Sequence, residues 1–257
     1  MKARNEIADI WDALLRGWQK GEDLPTELIQ WRDCYEGTGK GSVQLDYYPD
    51  LFVGDLRGFR KEPRLVTLGL NPGVAYPGLQ SRDGIWAKNI AKEGYSRCFA
   101  RSPEEDPNNW KQYNKKRSKY WMNMVRFVKR WLDDPDANHQ DVLNFELYPW
   151  HSEKLSAAID PPHDLIKKYV FNPISEINVA DVLAFGADWF RLINRWPGLS
   201  KLFEFSNERL SQSNTSNWKL AAYRLPSGQR LVLSSQKGYS GPPGSERAKR
   251  MREILAR

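Results

Sequence analysis

The stretch Arg64-Leu65-Val66-Thr67-Leu68 runs directly into Gly69-Leu70-Asn71-Pro72-Gly73. A β-branched, leucine-rich run stopped by Gly-x-Asn-Pro-Gly predicts a buried strand that breaks into a loop. In an open α/β sheet, ligands bind at the carboxyl ends of the strands. Gly69 and Gly73 let the backbone approach a ligand closely, and Pro72 stiffens the turn between them. Asn71 then stands at the strand end with an amide able to position a water or a base edge. Asn-Pro-Gly is also a common turn, so the motif gains its weight from the strands and helices downstream of it.

Three further apolar runs come at intervals that leave room for helices. Asp141 to Tyr148 alternates, with Leu143, Phe145 and Leu147 on one face and Val142, Asn144, Glu146 and Tyr148 on the other. Asp181 to Gly186 leads into a helix over Asp188 to Arg195. Lys219 to Leu225 and Arg230 to Ser234 read as a hairpin around Pro226-Ser227-Gly228-Gln229, its second arm supplying the fourth core strand. Helices are expected at the amino end, where Ile7, Ile10, Trp11, Leu14, Leu15 and Trp18 share a face. Others are expected around Arg82 to Lys92, at Trp121 to Leu132, and at the end, carrying Ala248, Met251, Ile254 and Leu255. Strands separated by helices imply an α/β fold: a three-layer α/β/α sandwich around a mainly parallel four-stranded sheet. One domain is expected over 1–257, with 1–60 as a helical extension packed on it. The irregular stretch from Val74 to about Gln112 is long enough to be functional.

Composition narrows the classes of partner. With 39 Lys and Arg against 32 Asp and Glu, and pI near 9.3, a polyanion is a natural partner. The basic run Lys111 to Lys119 reads equally well as a solvated helix start or as a binding patch. Cys34 and Cys98 are too few for a four-thiolate metal or iron–sulfur site. They suit free thiols in a reducing cytoplasm, with one disulfide left open. Glu36-Gly37-Thr38-Gly39-Lys40-Gly41-Ser42 lacks the leading Gly, the strand and the helix of a phosphate-binding loop. No apolar stretch reaches the length of a membrane span, and no signal-like region follows Met1. The expectation is a cytoplasmic monomer with no cofactor, no metal and no membrane partner.

Together these motifs resemble the uracil-DNA glycosylase superfamily. Gly69-Leu70-Asn71-Pro72-Gly73 is similar to the first motif of its mismatch-specific and single-strand-selective branches, where the archetypal enzymes carry Gly-Gln-Asp-Pro-Tyr. Arg97-Cys98-Phe99 is similar to the Cys-Phe segment whose ring stacks on the extruded base. Val142-Leu143-Asn144-Phe145 resembles the second strand with its base-reading Asn, and Asp181 to Gly186 the third strand. Ser234-Ser235-Gln236-Lys237-Gly238-Tyr239 occupies the place of the His-Pro-Ser motif, without its histidine.

The resemblance implies a monofunctional glycosylase that flips a base out of DNA and hydrolyses its N-glycosidic bond. Cleavage builds an oxocarbenium-like sugar and an anionic base, so donors aimed at the base and a positioned water are needed. On this reading Asn71 positions water and Phe99 stacks. Asn144 reads the base edge, and Gly69, Leu70, Gly73 and Ser235 border the base. Gln236 or Ser235 donates to the leaving base in place of the absent histidine, for which His151 is a further candidate. Glu146, on the face of Asn144, activates water or accepts from an exocyclic amine, or else is a buried ion-pair partner. Tyr239 wedges the gap left by the flipped nucleotide, and Lys237, Arg247, Lys249 and Arg250 hold phosphates. Gly73, where the archetypal enzymes have Tyr, leaves space beside C5 of the base. A damaged or 5-modified pyrimidine, such as a hypermodified phage cytosine, is therefore expected, with uracil next. Two other readings remain open: a catalytically inactive relative that binds DNA as a module, and a nucleotide-binding enzyme acting on small molecules.

Overall fold

The computed structural model describes residues 1–114, 118–197, 199–206, 218–236 and 240–256. Its centre is a mixed sheet of seven strands in the order β1-β3-β2-β4-β7-β6-β5. The four expected runs form β2 (Leu65–Gly69), β3 (Val142–Glu146), β4 (Asp181–Phe185) and β7 (Arg230–Gln236), and these neighbours pair parallel to one another. The sheet is wider than the four strands expected. β1 (Phe52–Val53) adds antiparallel to β3, and β6 (Trp218–Arg224) and β5 (Ser200–Ser206) extend the other edge as an antiparallel pair. β1 also shows that 1–60 is more than a helical extension, since it supplies an edge strand.

Strand residues alternate between two buried clusters, as a pleated sheet with both faces covered requires. Val66, Leu68, Leu143, Phe145, Val182 and Ala184 face one cluster, shared with α1 (Lys2–Lys20), α2 (Thr26–Arg32), α4 (Ile85–Glu93) and α9 (Ala187–Asn194). Leu65, Val142, Leu183, Phe185 and Val232 face the other, shared with α6 (Lys119–Leu132) and α10 (Ser245–Leu255). On α6, Trp121, Met124, Phe127, Val128 and Trp131 form the buried stripe, and Ser118 caps its start by accepting from the Trp121 amide. The amino-terminal helix ends where Gly21 turns left-handed at φ 78°.

The stretch after β2 holds three helices where one was expected: α3 (Pro77–Gln80), α4 and α5 (Pro107–Tyr113). A further helical segment precedes β4. It runs through α7 (His163–Ile166), a π-helical turn at Lys167–Phe171 and α8 (Asn172–Ser175). Among the described residues no helix is long and apolar enough to cross a membrane.

Candidate functional site

A cleft of about 950 Å³ opens at the carboxyl ends of β2 and β3. The turn after β2 forms its floor, the start of α6 one wall, and Ala187 and Asp188 at the start of α9 another. Gly186 sits at φ 114° just before α9, and a Cβ there would come within 2.7 Å of Leu70. The helix start and the turn are therefore packed directly together, which only glycine permits.

Glu146 is the last residue of β3, in register with Gly69 of β2. It lines the cleft, yet it is only 6% exposed. Its Oε1 accepts from Nδ2 of Asn144 at 2.7 Å, while Oε2 is buried and hydrogen-bonded to none of the described residues. Gly69 makes room for this carboxyl. A Cβ at that position would overlap Oε2 and stand 2.9 Å from Cδ. Burial raises the Glu146 carboxyl to about 8; the Asn144 amide opposes this and the charge of Asp50 adds to it. The group is therefore a neutral acid at pH 7, carrying a proton it can donate.

Asn144 orients that acid. Its Oδ1 accepts from the Thr67 hydroxyl at 2.9 Å and from the Tyr120 hydroxyl at 3.3 Å, and its Nδ2 faces Glu146. With 1% exposure and an amide committed at both ends, Asn144 does not itself present an edge to a ligand. Glu146, two residues further along the same face, lines the cleft beside it.

Asp50, just before β1, brings a second carboxyl to the cleft. Its Oδ1 accepts from Arg101 Nη1 at 2.7 Å and from the Tyr95 hydroxyl. Arg101 is also spent on Phe52 and Tyr95 carbonyls, at 2.7 and 3.2 Å. Asp188 also lines the cleft and pairs with Arg191 one helical turn on.

The turn itself is braced from β3's continuation. Gly73, at φ 79°, lends its carbonyl to the Ser152 amide at 3.2 Å and to His151 Nδ1 at 3.0 Å. A His ring nitrogen facing a carbonyl must carry the proton, so Nε2 is the acceptor for Gln80 Nε2 at 3.2 Å. Burial pushes the His151 imidazole down, and both nitrogens are occupied, which removes it as a substitute for the missing motif histidine. Asn71 Nδ2 meets Ser152 Oγ at 3.0 Å, while Oδ1 bonds to none of the described residues. A Cβ on Gly73 would find no atom of the described residues within 4 Å.

Other expectations are redistributed. Asn71, Gly69, Leu70, Gly73, Asn144, Glu146 and Ser235 all line the cleft. Phe99 does not: its ring lies under the Arg60 guanidinium, 4.3 Å from the centroid, and lines a separate small cavity with Glu105 and His139. The aromatic surfaces bordering the cleft are Tyr76, Trp86, Trp110, Tyr120 and Trp121. Arg247 is buried on α10 and Arg250 pairs with Glu253 at 3.3 Å, and neither lines the cleft. The exposed cations at its rim are Lys119 and Lys154, which no carboxylate pairs among the described residues. Lys237 and Tyr239 lie outside the described residues, as does the side chain of Gln236. Cys34 and Cys98 are free thiols, each pushed up to about 12 by burial. No group of three or more metal-ligating side chains occurs among the described residues.

No protein-family model, curated protein or solved structure matches this chain.

Proposed function

We propose that this chain is a DNA glycosylase of the uracil-DNA glycosylase type, which takes a pyrimidine turned out of DNA into the cleft and hydrolyses its N-glycosidic bond. One observation carries the reading. Asn71 and a buried acid, Glu146, whose Oε2 has no partner among the described residues, share a cleft at the carboxyl ends of adjacent parallel strands. N-glycosidic cleavage needs a held water and a group that takes up negative charge on the base, and these two side chains are of the right kind. Asn71, anchored by Ser152, holds the water through its Oδ1, which bonds to none of the described residues. The open space at Gly73 admits a substituent at C5, which favours a damaged or 5-modified pyrimidine over plain uracil. Lys119 and Lys154 suit contacts to phosphates flanking the extruded nucleotide. On this reading the helices on the two faces form the outer layers of an α/β/α sandwich, and the protein works as a cytoplasmic monomer without a cofactor.

The test is direct. Purified protein is incubated with single- and double-stranded oligonucleotides carrying uracil, mismatched thymine or 5-substituted cytosines, then heated in alkali to break abasic sites. Cleavage at the modified position is the expected result. Asn71→Ala should lower base release by about two powers of ten with DNA affinity nearly unchanged. Strand integrity with every substrate, alongside tight DNA binding, would point to an inactive DNA-binding module instead.

A further inference from the structure

The proposed reaction leaves open what identifies the base and what makes it depart, and the surroundings of Glu146 bear on both. The Thr67 and Tyr120 hydroxyls both meet Asn144 Oδ1. Its Nδ2 donates to Glu146 Oε1, which occupies that oxygen as an acceptor and leaves the proton of the neutral acid to Oε2. Oε2 has no partner among the described residues, an arrangement that costs stability unless a ligand supplies one. The acid thus presents an O–H donor beside a C=O acceptor.

We propose that Glu146 pairs with a cytosine-type base, its Oε2–H donating to ring N3 and its Oε1 accepting from the N4 amine, and that it passes the Oε2 proton to N3 as the glycosidic bond breaks. This rests on the glycosylase reading and names its substrate. A uracil ring already carries an N3 proton and leaves as a delocalised anion, so it needs donors but no proton. A cytosine ring has no such proton and is a poor leaving group until N3 is protonated. The step balances. The N1–C1′ electron pair goes to the ring, the Oε2 proton goes to N3, and the base departs neutral. Water adds to C1′, and the proton it loses returns to the Glu146 carboxylate. A ring substituent at C5 lies beside N4 and would be directed toward open space such as that at Gly73.

The groups around Glu146 leave its titration identifiable. Asp50 from the β1 segment is paired with Arg101, and Asp188 from α9 with Arg191. The Tyr95 phenol is pushed well above its ordinary range by burial, and the His151 imidazole is pushed down. Tyr120 is tied to Asn144 and Lys119 is exposed on α6.

The experiment uses the full chain and matched oligonucleotides in which cytosine and uracil rings carry the same C5 group: hydrogen, methyl or hydroxymethyl. Single-turnover release is followed from pH 6 to 9, beside equilibrium binding of the free bases. Cytosine-ring substrates should be released faster, with a rate that falls roughly tenfold per pH unit above about 8. Glu146→Gln keeps a donor beside an acceptor but cannot give up a proton. It should bind free 5-hydroxymethylcytosine within a few-fold of the parent, release it about 100- to 1,000-fold more slowly, and lose the alkaline fall. Equal release of both rings, or a rate that rises through pH 8, would overturn the proposal while leaving the glycosylase reading intact. If nothing is released, the glycosylase reading and the proton transfer fail together, and free-base binding judges the pairing alone. A preference for cytosine that fades above pH 8 would uphold the pairing, and no preference would end it.

Discussion

Asp50 and Glu146 are each 6% exposed and border the same cleft, yet the fold treats their carboxyl groups in opposite ways. Asp50 is met by a guanidinium and a phenol, so its negative charge is compensated where it lies. Glu146 is met by one amide, and its second oxygen meets no partner among the described residues. A buried charge is tolerable only with a partner, and a buried carboxyl without one keeps its proton instead. The first arrangement holds a structure together. The second keeps a hydrogen-bonding capacity in reserve, at a cost in stability that a structural role would not require.

The most severe way to break this comparison is Arg101→Ala. It strands Asp50 without its counter-charge and should cost about 3–5 kcal/mol in urea denaturation. A loss under about 1 kcal/mol would mean that Asp50 escapes to solvent and is not the fixed member of the pair.

A pH series sharpens the other side. Glu146 is raised from 4.5 to about 8 in the folded chain, so the stability it contributes is fully present below pH 4.5. That contribution is lost as pH rises through about 8. Glu146→Gln should match the parent near pH 5 and exceed its stability at pH 9 by something on the order of 3 kcal/mol. A difference that stays constant with pH would show that Glu146 is not held neutral.

Gly69→Ala pushes a methyl into the Glu146 carboxyl and should cost about 1–3 kcal/mol. Because the overlap is with that one side chain, most of the loss should vanish in the Gly69→Ala, Glu146→Ala double variant. Additive losses in the double-mutant cycle would place the strain elsewhere. The smallest effect belongs to Thr67→Val, which removes one of the two donors that fix Asn144. About 1 kcal/mol is expected, with the pH dependence of the second experiment shifted and not abolished.

The parallel centre of the sheet is legible in the sequence because Leu65, Val66 and Leu68, or Val182 to Phe185, are apolar runs bounded by turn residues. β1 and β5 are not. A two-residue edge strand carries no periodicity, and Ser200–Ser206 mixes charges with Leu and Phe as a strand open on one side does. At the site, alternation correctly places Asn144 and Glu146 on one face, but a period of two cannot say which ends the strand. The register with Gly69 decides that in favour of Glu146. Asp50 and Arg101, 51 residues apart, form a pair that no local pattern announces. Phe99 reads as a cleft residue through its neighbour Cys98, whereas in the folded chain its ring is engaged by Arg60. The cations at the rim, Lys119 and Lys154, look no different in sequence from those that merely face water.

Trp110 borders the cleft half-buried, and Trp86 and Trp121 reach it from the two cores, whereas Trp11, Trp31, Trp150, Trp189 and Trp218 are buried away from it. Indole emission responds to what lies beside the ring, so an aromatic ligand drawn into this space would dim the cleft-lining indoles and leave those remote from it as an internal standard. The molecule carries its own optical gauge of occupancy, readable in a stopped-flow cuvette without attaching a label.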